Sequence, residues 1–168
     1  HEHGVTTLNI ALEESELVLE LEGPAMNFLG FEHAARTPEQ KQSIADTLDT
    51  LRNDVSLLGI DPDAGCNLVE IDAEHLTNAD HDDHGDHDKH DDHGDHDDHE
   101  EHGDAGGHAE FVAEYEFSCK NPDDLSEFRV GLFERFPLTS EIEISFVGPE
   151  TQTYKNLTPA DPVLRIVD

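Results

Sequence analysis

The sequence predicts one α+β domain: an antiparallel sheet with two helices, built as a ferredoxin-like βαββαβ core plus extra strands, with a long His/Asp-rich loop between the central strands. Three observations predict it. Apolar residues alternate with polar ones in short runs, the signature of half-buried strands. Two stretches with helical spacing separate these runs in the order the split pattern requires. A low-complexity insertion over 77–108 interrupts the alternation once, between the third and fourth strands of the chain. At 168 residues the chain suits a single domain over 1–168, and setting the insertion aside leaves enough for a hydrophobic core.

In chain order, Leu8, Ile10 and Leu12, then Leu17, Leu19 and Leu21, form a hairpin around the polar turn Glu13-Glu14-Ser15, and Gly23-Pro24 ends it. The following loop, Ala25 to His33, is apolar for a connection and is expected to pack on the core. Thr37, Pro38 and Gln40 spell a helix start with a capping box. Ile44, Leu48, Leu51, Val55 and Leu58 make its apolar stripe, which Gly59 and Asp61-Pro62 stop. Val69, Ile71 and Ala73 predict a third strand leading into the insertion; Phe111, Ala113, Tyr115, Phe117 and Cys119 predict a fourth leading out. Asn121-Pro122 then opens a second helix with Leu125, Phe128, Leu132 and Phe136 inward. Ile142, Ile144 and Phe146 give a fifth strand, and 154–157 and 163–167 give two weaker ones split by prolines.

Within the insertion, histidine occupies every third position: His81, His84, His87, His90, His93, His96, His99 and His102. The same phase reaches His75 and His108, each six residues beyond the run. A nine-residue unit repeats as HDDHGDHDK (81–89), HDDHGDHDD (90–98) and the decayed HEEHGDAGG (99–107). Neutral imidazole is the commonest protein ligand for zinc, copper and nickel, and carboxylates supplement it. A spacing of three aligns the rings along one side of an extended three-residue-per-turn helix. An α-helix would rotate them by about 60° per step, and Gly85, Gly94, Gly103 and the many aspartates disfavour it. Low hydrophobicity and mutual repulsion predict disorder without metal. At four ligands per ion, the eight run histidines serve about two zinc ions, or three to four with carboxylate help. The surrounding negative charge raises histidine pKa values, so capture weakens as pH falls. Calcium does not account for the histidines, and neither the EF-hand loop nor the glycine-dense nonapeptide repeat is present.

The formal charge is −32, of which residues 80–104 carry −12, so the rest of the chain still carries −20. Such a surface repels nucleic acid and anionic lipid and suits cations or basic partners. No apolar run approaches the ~18–20 residues that span a bilayer, so no membrane insertion is expected. The opening HEHGVTTLNIAL reads as the start of a mature chain after signal-peptide removal. Cys66 and Cys119 flank the insertion without a CxxC, and a disulfide at its neck is the simpler reading, which implies an oxidising compartment. Matching apolar faces leaves Cys66 one residue out of register with Cys119, which a bulge would correct. The geometry permits the bridge without requiring it.

Satellite ligands are also predicted. His1-Glu2-His3 resembles a terminal chelate for Cu(II) or Ni(II), provided His1 carries a free amine. His33, beside Glu32, would join an ordered site with the terminus or the insertion's neck, where His75 and His108 are placed to anchor one. Each also has a plain structural reading, a frayed terminus or a packed loop. No nucleophile elbow, HExxH, phosphate loop or dinucleotide fingerprint is present, so an enzyme is not expected.

HEHG…LNIAL, PAMNFLGFEHA followed by TPEQ, the cysteines around the His/Asp insertion, and LFERFP near 132–137 resemble the ZrgA-type zinc-regulated periplasmic proteins of Gram-negative bacteria. The likeness covers essentially the whole chain. It implies a periplasmic, non-enzymatic zinc-binding protein that assists a high-affinity zinc ABC importer alongside the importer's own periplasmic zinc-binding protein. Only the insertion histidines carry over as functional residues. The expectation is therefore a monomer binding several Zn²⁺ ions, with Cu²⁺ and Ni²⁺ as competitors. Two alternatives remain: a copper, nickel or zinc buffer without a transporter partner, and an interaction module whose acidic surface docks a basic protein while its histidines sense pH.

Overall fold

The computed structural model describes residues 2–77 and 107–166. Strands β1 (Val5–Glu13), β2 (Glu16–Pro24), β3 (Cys66–Thr77), β4 (Ala109–Cys119), β6 (Glu141–Val147) and β7 (Gln152–Leu157) form one six-stranded sheet in the order β3-β4-β2-β1-β6-β7. Short strands β5 (Glu127–Arg129) and β8 (Val163–Arg165) pair separately. One substantial helix, α2 (Pro38–Asn53), packs with the shorter α1 (Ala25–Leu29) and α3 (Leu132–Arg135).

Strict alternation gives the large sheet one buried face. Leu8, Ile10, Leu17, Leu19, Leu21, Phe111, Tyr115, Ile142, Ile144 and Phe146 are all buried there. The expected helix start is observed in full. The Thr37 side chain accepts a hydrogen bond from the Gln40 N–H (3.2 Å), and Gln40 Oε1 accepts one from the Thr37 N–H (3.2 Å). Tyr115 donates its hydroxyl to the Leu51 carbonyl (2.9 Å) and Arg52 donates to the Ala73 carbonyl (2.6 Å), which fixes α2 across β3 and β4. The opposite face is acidic. Asp72, Glu114 and Glu20 stand directly opposite one another on three neighbouring strands, an arrangement that costs stability through like-charge repulsion.

Several expectations are corrected. In a ferredoxin-like antiparallel sheet, β6 would lie beside β2. Instead the two-residue turn Glu14-Ser15 keeps β1 against β2, β4 takes β2's other edge, and β6 pairs with β1. That pairing is parallel, with Leu8 opposite Ile144, so the sheet is mixed. The second long helix is also absent among the described residues. Leu125, Phe128, Leu132 and Phe136 are buried as expected, but on a 3₁₀ turn at 122–124, on β5, on α3 and just after it. Tertiary hydrogen bonds take the backbone that a helix would need: Arg129 N–H to Gly59 O (2.8 Å), Val130 N–H to Pro162 O (3.0 Å) and Gly131 N–H to Leu57 O (2.9 Å). Likewise α2 stops at Asn53, and Val55 and Leu58 of its expected stripe lie on a 3₁₀ turn.

The cysteines are bonded. Ile71 pairs with Tyr115, and a bulge between Leu68 and Glu70 restores the register so that Cys66 meets Cys119. The bridge closes the base of the β3–β4 hairpin rather than the neck of the insertion. At ~3.3 Å per residue the two ends of β3 are roughly 35 Å apart.

Candidate metal centre

The insertion leaves the sheet after Thr77 and returns at His108, immediately before Ala109 starts β4. His81, His84, His87, His90, His93, His96, His99 and His102, the expected disorder of their segment, and His1 lie outside the described residues. Four predicted histidines can be placed: His3, His33, His75 and His108.

Two of them meet at Glu32, and the route there begins with Asn27. Its side chain is buried in α1 and makes three hydrogen bonds to the start of β1. The Gly4 N–H donates to Asn27 Oδ1 (2.7 Å), and Asn27 Nδ2 donates to the Val5 carbonyl (2.8 Å) and to Thr6 Oγ1 (3.0 Å). From the other side, the Gly4 carbonyl accepts from the backbone N–H groups of Ser140 (2.8 Å) and Glu141 (3.0 Å). Gly4 sits at φ +90, and a Cβ there would come within 2.6 Å of Ser140 Oγ, so glycine suits this clamp. Clamping Gly4 sets the position of His3. On the other strand of the connection, Phe28 packs its ring on Phe111 (5.1 Å) and Phe136 (4.9 Å), which seats α1 and the Gly30–Glu32 segment that follows it.

The Glu32 side chain is only 11% exposed and lies between two imidazoles. His3 Nε2 is 3.0 Å from Oε1, and His108 Nδ1 is 3.5 Å from Oε2. Although His3 is at ion-pair distance, the angles are not those of a hydrogen bond. Buried Oε1 has no hydrogen-bond partner among the described residues. Both imidazoles are more than half exposed. His75 lies against Phe111, with ring centroids 4.9 Å apart. His33 is exposed, stacks on Phe31 (5.1 Å) and places Nδ1 3.0 Å from the Ala34 carbonyl. Among the described residues no three His, Cys, Asp or Glu side chains already surround one point as a complete metal site.

Of the Glu32-His33 pair that sequence reading set beside the terminus and the neck, Glu32 is the member that meets His3 and His108. Asn27 was not anticipated at all; a lone amide inside PAMNFLGF was the available signal, because a buried side chain of that kind must find partners.

Comparison with known families decides the context. The family model described as ZrgA family zinc uptake protein matches residues 1–166. The chain belongs to the ZrgA family. Membership places it in zinc uptake, a transport role rather than catalysis. No curated protein matches the chain. Among the described residues of this ZrgA protein, no helix is long and apolar enough to cross a membrane. The ZrgA match also spans both segments that meet at Glu32, the HEHG opening and the GFEH loop.

Proposed function

We propose that this ZrgA family protein works in the periplasm as a zinc collector for a high-affinity ABC importer and that importer's own zinc-binding protein. The histidines from 81 to 102 capture Zn²⁺ at several interchangeable sites and raise its local concentration. They release ions by ligand exchange to a tighter carrier. Redundant ligands suit transfer, because an incoming site displaces them one at a time while the ion stays coordinated. The observation that carries this reading is the unbroken three-residue histidine phase within a chain of the zinc uptake family.

Other features support it. The Cys66–Cys119 bridge fits an oxidising compartment. The carboxylate rows on the open sheet face extend the negative field beyond the insertion and favour accumulation of divalent cations. The test is growth of the source bacterium under zinc chelation with the eight run histidines changed to asparagine. The expected result is slowed growth relative to the parent under chelation and equal growth in zinc-replete medium. Equal growth under both conditions contradicts the proposal.

A further inference from the structure

We propose that the open face of the six-stranded sheet is a docking surface for a basic protein, and that a groove on this face seats one lysine or arginine side chain of that partner. The proposal rests on the zinc-collecting reading above for the partner's role, which is to receive the ion, and adds the face on which the two proteins meet.

The composition of the face carries the first part of the argument. Cross-strand register aligns Asp72, Glu114, Glu20, Asn9, Ser145 and Tyr154 in one row across all six strands. The next row toward the insertion carries Glu74, Glu22 and Glu143. Asp72, Glu74, Glu114, Glu20 and Glu22 are all exposed. The six strands hold one lysine or arginine, Lys155, and it is turned away from these rows. It stands opposite Ile144 on the core side, donates to the Val163 carbonyl (2.8 Å) and pairs with Asp161 (2.7 Å). The open face is therefore negative without a counter-charge from its own strands.

The second part is the kind of cation that fits. Like charges directly opposite one another weaken a sheet, and a partner's ammonium or guanidinium groups would remove that repulsion on binding. A single metal ion would not, because neighbouring strands lie about 4.8 Å apart and spread the carboxylates of a row. Among the described residues no three His, Cys, Asp or Glu side chains could hold one ion. Separate cationic side chains on a folded surface match the spread.

The groove carries the third part. About 220 Å³ in volume, it brings Val5, Thr7 and Pro24 together with the carboxylates of Glu2, Glu22 and Glu143. Thr7 stands in register between Glu22 and Glu143, so the two carboxylates flank it on neighbouring strands. Apolar surface beside carboxylates suits lysine or arginine, whose aliphatic stem packs while the charged head stays in water or on a counter-charge. Pro24 pairs with Glu110, next to the first residue of β4, so a partner seated here stands at the root of the insertion. Farther across the face, Tyr154 and Val147 are 62% and 46% exposed, and aromatic area of this kind is enriched in protein interfaces.

The test is an NMR titration of the isotope-labelled full chain with tetralysine, in zinc-free buffer containing a chelator and about 0.15 M salt. The backbone amides of Thr7, Glu22 and Glu143 should shift saturably. An exposed ion pair is worth up to about fivefold in affinity, so E22Q/E143Q should weaken this binding by about threefold or more. D46N/D49N removes the same charge from exposed positions on α2 and should change it by less than about twofold. The parent's own shift map decides the location whatever the variants do. No saturable shift at the three amides, shifts confined to residues 78–106, or equal weakening by both double variants overturns the docking face. The collecting role survives that result, because the titration contains no zinc and growth of the histidine variant under chelation decides it separately.

Discussion

Replacing Cys66 and Cys119 together by serine should destabilise the domain by an amount set by the loop they close. The cysteines are 53 residues apart, and loop-closure entropy for that length is worth about 4 kcal/mol at 25 °C. Serine is preferable to chemical reduction, because free thiolates would add zinc ligands. The assay is urea unfolding of metal-free protein, where a loss of this size lowers the midpoint by about 2 M. The closed loop contains the entire insertion, which makes a second arm available. Deleting residues 78–106 roughly halves the loop, and closure entropy varies only logarithmically, so the bridge should lose only about 0.6 kcal/mol of its effect. A serine penalty below about 1 kcal/mol, or one that vanishes when the insertion is deleted, would refute this reasoning.

Three further outcomes follow from the folded domain. Asn27→Ala removes three hydrogen bonds and strands the Gly4 N–H; it should cost about 2–3 kcal/mol, read as a thermal midpoint lower by roughly 5–10 °C. Gly59→Ala places a Cβ 1.8 Å from the Arg129 carbonyl oxygen at φ +64, so a loss of about 3 kcal/mol or more is expected in the same thermal assay. The Ser126 hydroxyl, the Asp63 N–H and the Ser126 N–H hold the Asp61 carboxyl below its ordinary value of 3.8. A lowered folded-state pKa adds stability above 3.8 that is lost as pH falls through the folded value. Asp61→Asn should therefore unfold at lower urea than the parent near neutral pH, and the gap should close as the solution is acidified below 3.8.

Much of this structure was legible because local chemistry and tertiary packing agreed. Thr37, Pro38 and Gln40 satisfy the first turn of α2 with their own side chains, so the helix start needed no tertiary information. The disulfide was legible only in part: apolar alternation put Ile71 opposite Tyr115 or Ala113 and left Cys66 one residue out of register, so the bridge was permitted but not required until the observed bulge set the register. Where packing overrode local signal, sequence reading failed. Leu125, Phe128, Leu132 and Phe136 have helical spacing, yet their backbone is claimed by Gly59, Leu57 and Pro162 carbonyls that lie far away in the chain or across another strand. Sheet order is likewise not encoded in alternation, and the parallel pairing of β1 with β6 depends on which edges the first hairpin and β4 leave open. At the candidate site, sequence reading named the neck histidines and the Glu32-His33 pair but not which of them meet. That His3 and His108 converge on Glu32 depends on a buried amide 21–23 residues from the groups it binds in β1 and its approach.

The central claim, that the histidine-rich insertion is the main zinc receptor, is tested most directly by a competitive zinc titration of the intact chain against a variant lacking residues 80–104. The account predicts that the intact protein binds several ions and that the deletion removes most or all of them. Equal stoichiometry in the two proteins, or no zinc bound by the intact chain at neutral pH, would contradict it.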